Sequence, residues 1–202
     1  MSVIRNTPYI ALDLELNPGP EIPEIIQVGV AIGSIEQPES DWIVRSWYVK
    51  PVSGTPITQH ITDLTGIGQD VIDTSGVDHA TVGRELSDLI RSVPDLSVNP
   101  VTWGQGDASE LLAEFRGNNV HFPHFGRRII DVKTFHVLVE LSNGRSPAGG
   151  LRSSMGRHGM MFAGTPHRAD IDAFNTLRFF FHLLRRQESF EKCRELITQW
   201  KR

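Results

Sequence analysis

A chain that sets two carboxylates into its most apolar strand has few ways to fold. Residues 9 to 16, YIALDLEL, alternate so that Ile10, Leu12, Leu14 and Leu16 share one face while Asp13 and Glu15 share the other, which is strand periodicity. Two residues apart on a strand, both carboxylates leave the same side and can approach a common ion, and hard divalent cations take such oxygens. Burying the strand with both carboxylates unpaired costs several kcal/mol per ion in desolvation, so burial requires a metal or cationic partner.

The patterns downstream place this strand in an α/β fold. After the break at Asn17 to Pro20, residues 25 to 33 (IIQVGVAIG) and 42 to 50 (WIVRSWYVK) read as two more strands, forming an antiparallel meander that Pro51 ends. Val82, Leu86, Leu89, Ile90 and Val93 recur at helical spacing from about Asp78 to Val93. A strand at Val98 to Trp103 then meets Gly104 and Gly106, a tight turn into a helix that carries Leu111, Leu112 and Phe115. Residues 129 to 141 read as a short buried strand running into a helix, and residues 150 to 158 as a small basic helix. The longest helical pattern runs from about Ala169 to Arg186, with a terminal helix expected at about Ser189 to Trp200. The β-α-β-α order calls for a mixed sheet flanked by helices. With no repeat and no low-complexity linker, residues 1 to 202 read as one folding unit, its core at about 8 to 186 and a C-terminal helix at about 187 to 202.

Charge is unevenly spread. Residues 1 to 115 carry 5 Lys/Arg against 17 Asp/Glu, whereas residues 116 to 168 carry 8 against 2. An acidic half able to hold cations therefore joins a basic stretch able to meet phosphates. The single Cys193 excludes an internal disulfide, and with no signal-peptide pattern a reducing cytoplasm is the expectation. No apolar stretch approaches the ~20 residues of a membrane span.

Three further residues complete a pattern. Asp107 follows the fourth strand in WGQGD, where alone it reads as an N-cap. His167 and Asp172, in PHRADIDAFN, are five apart and cannot share a helical face, but converge if His167 lies on the loop before the helix and Asp172 in its first turns. Asp13-x-Glu15, Asp107 and His167-x-x-x-x-Asp172, in this order, resemble the three motifs of the DEDDh 3′-to-5′ exonucleases, of ribonuclease H-like fold. The segments EIIQVGVAI, YVKP, ITQHITDLTGI, DASELLAEF and RIIDVKTF resemble the Eri-1 and KapD branch, so the likeness covers roughly residues 8 to 185.

The resemblance implies a five-stranded mixed sheet, strands one to three antiparallel and four and five parallel. It implies two divalent cations, Mg²⁺ or Mn²⁺: one held by Asp13, Glu15 and Asp172, the second shared by Asp13 and Asp107. His167 would be the general base, since histidine changes charge near neutral pH. The substrate would be the 3′ end of single-stranded RNA, or DNA in a proofreading or repair variant, released as 5′-mononucleotides. A silent 3′-end-binding module is the remaining alternative. Leu14 and Leu16 are candidate terminal-nucleotide contacts, Leu16 being a departure from the small residue that family members usually carry there. Trp103 and Phe162 are candidate stacking platforms. Arg127, Arg128, Lys133, Arg152, Arg157, His158 and Arg168 are candidate phosphate contacts. His121-x-x-His124 lacks further zinc ligands at the usual spacing and reads as a loop pair. Cys193 reads as structural, and Trp200, Lys201 and Arg202 as a possible partner contact.

Overall fold

The tightest constraint on the sheet is its middle strand, β1 (Tyr9–Asn17), buried on both faces. In the computed structural model, which describes residues 6–122 and 125–200 with side chains for 6–122, 125–187 and 189, four strands join it. They are β2 (Glu24–Gly33), β3 (Ile43–Tyr48), β4 (Ser97–Thr102) and β5 (Ile130–Asp131). The order across the sheet is β3-β2-β1-β4-β5. The β1–β2 and β2–β3 pairs are antiparallel, and β1–β4 and β4–β5 are parallel. This is the mixed sheet that the sequence led us to expect.

Seven α-helices lie among the described residues: α1 (Gln59–Thr65), α2 (Gln69–Ser75), α3 (His79–Ser92), α4 (Asp107–Gly117), α5 (Val132–Ser142), α6 (Leu151–Arg157) and α7 (Ala169–Trp200). Three features differ from the sequence reading. Strand β3 stops at Tyr48 because Val49 and Lys50 turn away to bridge Val77: the Val77 amide donates to the Tyr48 carbonyl and the Lys50 amide to that of Val77. Helices α1 and α2, of seven residues each, escaped the reading because each buries only one or two residues and so shows no apolar period. The signs that α1 offered are its caps: the Thr58 hydroxyl accepts from the Ile61 amide, and Gly66 closes the helix at φ 75°. The two helices expected after residue 169 are one, because no Gly or Pro interrupts residues 169 to 200. The side chains of Cys193 and Trp200, together with His124, Lys201 and Arg202, lie outside the described residues.

The alternation in β1 sends its residues to two different cores. Ile10, Leu12 and Leu14 pack with Val82, Leu86 and Ile90 of α3 and Leu111 and Phe115 of α4. Ala11, on the opposite face, packs with Met155 of α6 and with Ala173, Leu177, Phe179 and Phe181 of α7. Asp13 and Glu15 share the Ala11 face, so the sheet itself aims them at α7. Small residues let that helix close in: a Cβ on Gly29, the β1–β2 partner of Asp13, would fall inside the van der Waals envelope of the Ala169 carbonyl and the Asp170 nitrogen. Gly29→Ala is therefore expected to push the start of α7 off the sheet, at a cost of about 3 kcal/mol. For a chain of this size thermal denaturation should register that as a loss of roughly 10 °C.

Candidate active site

Asp13 and Glu15 leave β1 on the α7 side, and α7 answers with Asp172 from its first turn. One carboxylate oxygen from each of the three lies within 4.8 Å of the others. His167 sits two residues before α7 in the left-handed region, φ 62°, and its backbone N–H donates to Asp172 Oδ2 at 2.8 Å. The strained loop thus aims one Asp172 oxygen and leaves the imidazole exposed beside it. All four residues line one cleft of ≈ 960 Å³, with Leu64, Trp103, Arg152, Phe162 and Thr165 among its other walls.

Electrostatically the cluster is a cost. Burial, then the charges of Asp107, Asp172 and Glu15, hold the Asp13 carboxyl well above its ordinary range. Burial, then Asp172 and Asp107, pushes Glu15 from 4.5 to about 7. Asp107 is likewise raised to about 7 by burial and by Glu110. Asp172 is raised by burial, an effect partly offset by the His167 backbone N–H and charge. Asp107 therefore belongs to the same acidic field, although it stands outside the tight trio. It is the first residue of α4, after Gly106 at φ 140°. The N-cap position belongs to Gly106, without a side-chain cap, so Asp107 does not cap the helix as its sequence position suggested.

The expected substrate contacts divide. Leu14, Trp103, Arg152 and Phe162 border the cleft. Leu16 does not: it packs partly buried against the α3/α4 core and lines a separate groove beside Glu110 and Ala113. Its alternation with Glu15 turns it to the other face. Arg168 points its guanidinium at Asp170, at 3.4 Å. His158 is 8% exposed and neutral, its basicity pushed down to about 4 chiefly by burial, so it is core and not a phosphate contact. Arg157 is drawn to His136, while Arg127, Arg128, Lys133 and His121 are exposed.

Two residues that hold the site together went unremarked in the sequence. Gln27, fully buried and the register partner of Glu15, accepts the Ala169 amide at 3.0 Å. With Gly29 beside it, β2 fixes where α7 begins and hence where Asp172 stands. The signal, a polar residue in an otherwise apolar strand, was present in EIIQVGVAI. Asp131 does similar duty for the WGQGD turn, accepting from the Gly104 amide at 3.2 Å while capping α5.

No protein-family model and no curated protein matches this sequence. Solved structures do. The nuclease domain of 3′hExo, a DEDDh family member bound to rAMP, aligns with TM-score 0.75 and 20% identity, covering 89% of this chain and 92% of that one. The fold is that of the DEDDh exonucleases. A 3′-exonuclease solved in 3′-end-specific recognition of a histone mRNA stem-loop aligns with TM-score 0.73 and 21% identity over 89% of this chain and 64% of that one. Escherichia coli exonuclease I in complex with a dT13 oligonucleotide aligns with TM-score 0.69 and 16% identity over 92% and 43%. This chain thus matches nearly the whole of that nuclease domain and less than two thirds of the length of the two longer proteins. At such identities the likeness is one of fold, and chemistry must be read from the cleft.

The DEDDh fold here predicts a distinct pH signature. A carboxyl whose folded value lies above its unfolded one binds its proton more tightly in the native state, so metal-free stability falls as pH rises between the two and stays low above them. For Glu15, moved from 4.5 to about 7, that amounts to roughly 3 kcal/mol. Metal-free Glu15→Gln should therefore melt several degrees above the unsubstituted protein at pH 8, and the gain should vanish by about pH 4.5.

Proposed function

We propose that the protein is a metal-dependent 3′-to-5′ exonuclease that shortens single-stranded nucleic acid, RNA in preference, to 5′-mononucleotides. The observation that carries this reading is the meeting of Asp13, Glu15 and Asp172 oxygens within 4.8 Å in a cleft that also bears His167. The trio fits hard divalent cations: only burial and other carboxylates act on Asp13 and Glu15, so an oxygen-seeking cation is the partner that relieves them. Asp13, Glu15 and Asp172 would hold one Mg²⁺ or Mn²⁺, with Asp107 helping Asp13 to hold another. Bound there, the pair would supply Lewis-acid stabilisation for in-line displacement at a phosphodiester.

The chain's own side chains supply the rest. The imidazole of His167, exposed at the cleft beside Asp172, accepts the proton of the attacking water through a ring nitrogen. Trp103, Phe162 and Leu64 give the cleft apolar surfaces on which unpaired bases stack, which suits single strands. Arg152, at the cleft wall, meets a backbone phosphate. RNA is preferred on the likeness to the Eri-1 and KapD branch; the exonuclease of similar fold found on a histone mRNA stem-loop supports it, whereas exonuclease I in its dT13 complex supports DNA. The sole cysteine supports a reducing compartment.

With Mg²⁺ or Mn²⁺, purified protein should convert 3′-labelled single-stranded RNA to labelled mononucleotide, faster than matched DNA. Asp13→Asn should reduce this to background with the circular dichroism spectrum preserved, and His167→Ala should lower kcat by ~10²- to 10⁴-fold. Asp13→Asn protein that digests RNA normally would refute the assignment. Faster digestion of DNA would move the substrate to the repair-type alternative.

A further inference from the structure

On the far side of Trp103 from the cleft, a second group of ligand-type side chains is buried among α5, α6 and α7. His136 and Glu140 are one helical turn apart on α5 and so share a face, and His158 ends α6. One potential ligand atom from each lies within 4.8 Å of the others. Their exposures are 1%, 0% and 8%, so this is no surface cluster. Each also carries one buried polar atom without a hydrogen bond: His136 Nδ1, Glu140 Oε2 and His158 Nε2.

The remaining heteroatom of each is held by an arginine. Arg145 Nη2 donates to Glu140 Oε1 at 2.6 Å, Arg157 Nη2 to His136 Nε2 at 3.2 Å, and Arg186 Nη1 to His158 Nδ1 at 3.1 Å. Longer ion-pair contacts join Glu140 to His158 at 3.5 Å and to Arg157 at 3.8 Å.

We propose that His136, Glu140 and His158 form a second metal site, structural in role and selective for zinc-class cations. Two imidazoles and one carboxylate are a known donor set for zinc and a poor one for magnesium, whereas the all-carboxylate trio in the cleft is the reverse. Arg145 remains as the hydrogen-bond donor that steadies the ligating carboxylate. Arg157 and Arg186 give way on metal entry, because a metal-bound imidazole carries its proton on the other nitrogen and a guanidinium cannot accept it. Both arginines reach solvent and can turn outward. The ion then ties α5 to the end of α6, behind the Trp103 wall, whose ring lies 5.9 Å from that of His136.

The test removes the cleft as a competitor. Zn²⁺ is titrated calorimetrically into the metal-free 202-residue chain carrying Asp13→Asn/Asp172→Asn, with melting temperature followed in parallel and Mg²⁺ present in excess. One equivalent should bind, with a rise of several degrees in melting temperature. Adding His136→Ala, His158→Ala or the near-isosteric Glu140→Gln should each weaken binding at least 100-fold and remove the rise. Glu140→Gln decides the matter if either alanine variant fails to fold. Absence of zinc binding by the folded double variant, or binding that survives Glu140→Gln unweakened, overturns the proposal.

Discussion

Holding the carboxylates of Asp13, Glu15 and Asp172 within 4.8 Å opposes both their desolvation and their mutual repulsion. Something uncharged must supply the positioning, and that is backbone packing between β2 and the start of α7. Gly29 lets the Ala169–Asp170 backbone touch the sheet opposite Asp13, and Gln27 takes the Ala169 amide opposite Glu15. The same two residues of β2 that neighbour the β1 carboxylates therefore place the helix that brings the third. The His167 N–H then turns an Asp172 oxygen to a fixed orientation. A site built this way is preorganised: its geometry belongs to the protein, and the proposed cation would relieve a charge cost that folding has already incurred.

The rest of the molecule serves that arrangement from two sides. The leucine face of β1 is committed to α3 and α4, which pins the strand from the side opposite its carboxylates. The alanine face is thin enough for α7, and the Phe179–Phe181 run anchors that helix beyond the carboxylates. Trp103, at the end of β4, stands between the cleft and the buried His136, Glu140 and His158 group. The acidic half of the chain and its basic half meet at this cleft. Arg152 comes from the basic segment, and the two β1 carboxylates come from the acidic one.

Much of this was written in short-range patterns. The strict alternation of YIALDLEL told which face of β1 would carry charge, and the five-residue gap between His167 and Asp172 told that the two could converge only from a loop and a helix start. Two of the short helices were not legible: α1 announces itself only through its caps, Thr58 and Gly66, and α2 lacks even a side-chain cap. Long-range partners were not legible either. That His158 is interior, drawn in among His136, Phe179 and His182, depends on what other segments bring near it. Gln27 shows the same limit, since its partner lies 142 residues away.

The central claim, that these carboxylates form a cation-binding cup, is most directly examined by anomalous diffraction from crystals equilibrated with Mn²⁺. The account predicts an anomalous peak within coordination distance of oxygens from Asp13, Glu15 and Asp172, in the cleft that His167 borders. Density showing those carboxylates turned apart, with manganese bound elsewhere or not at all, would contradict it.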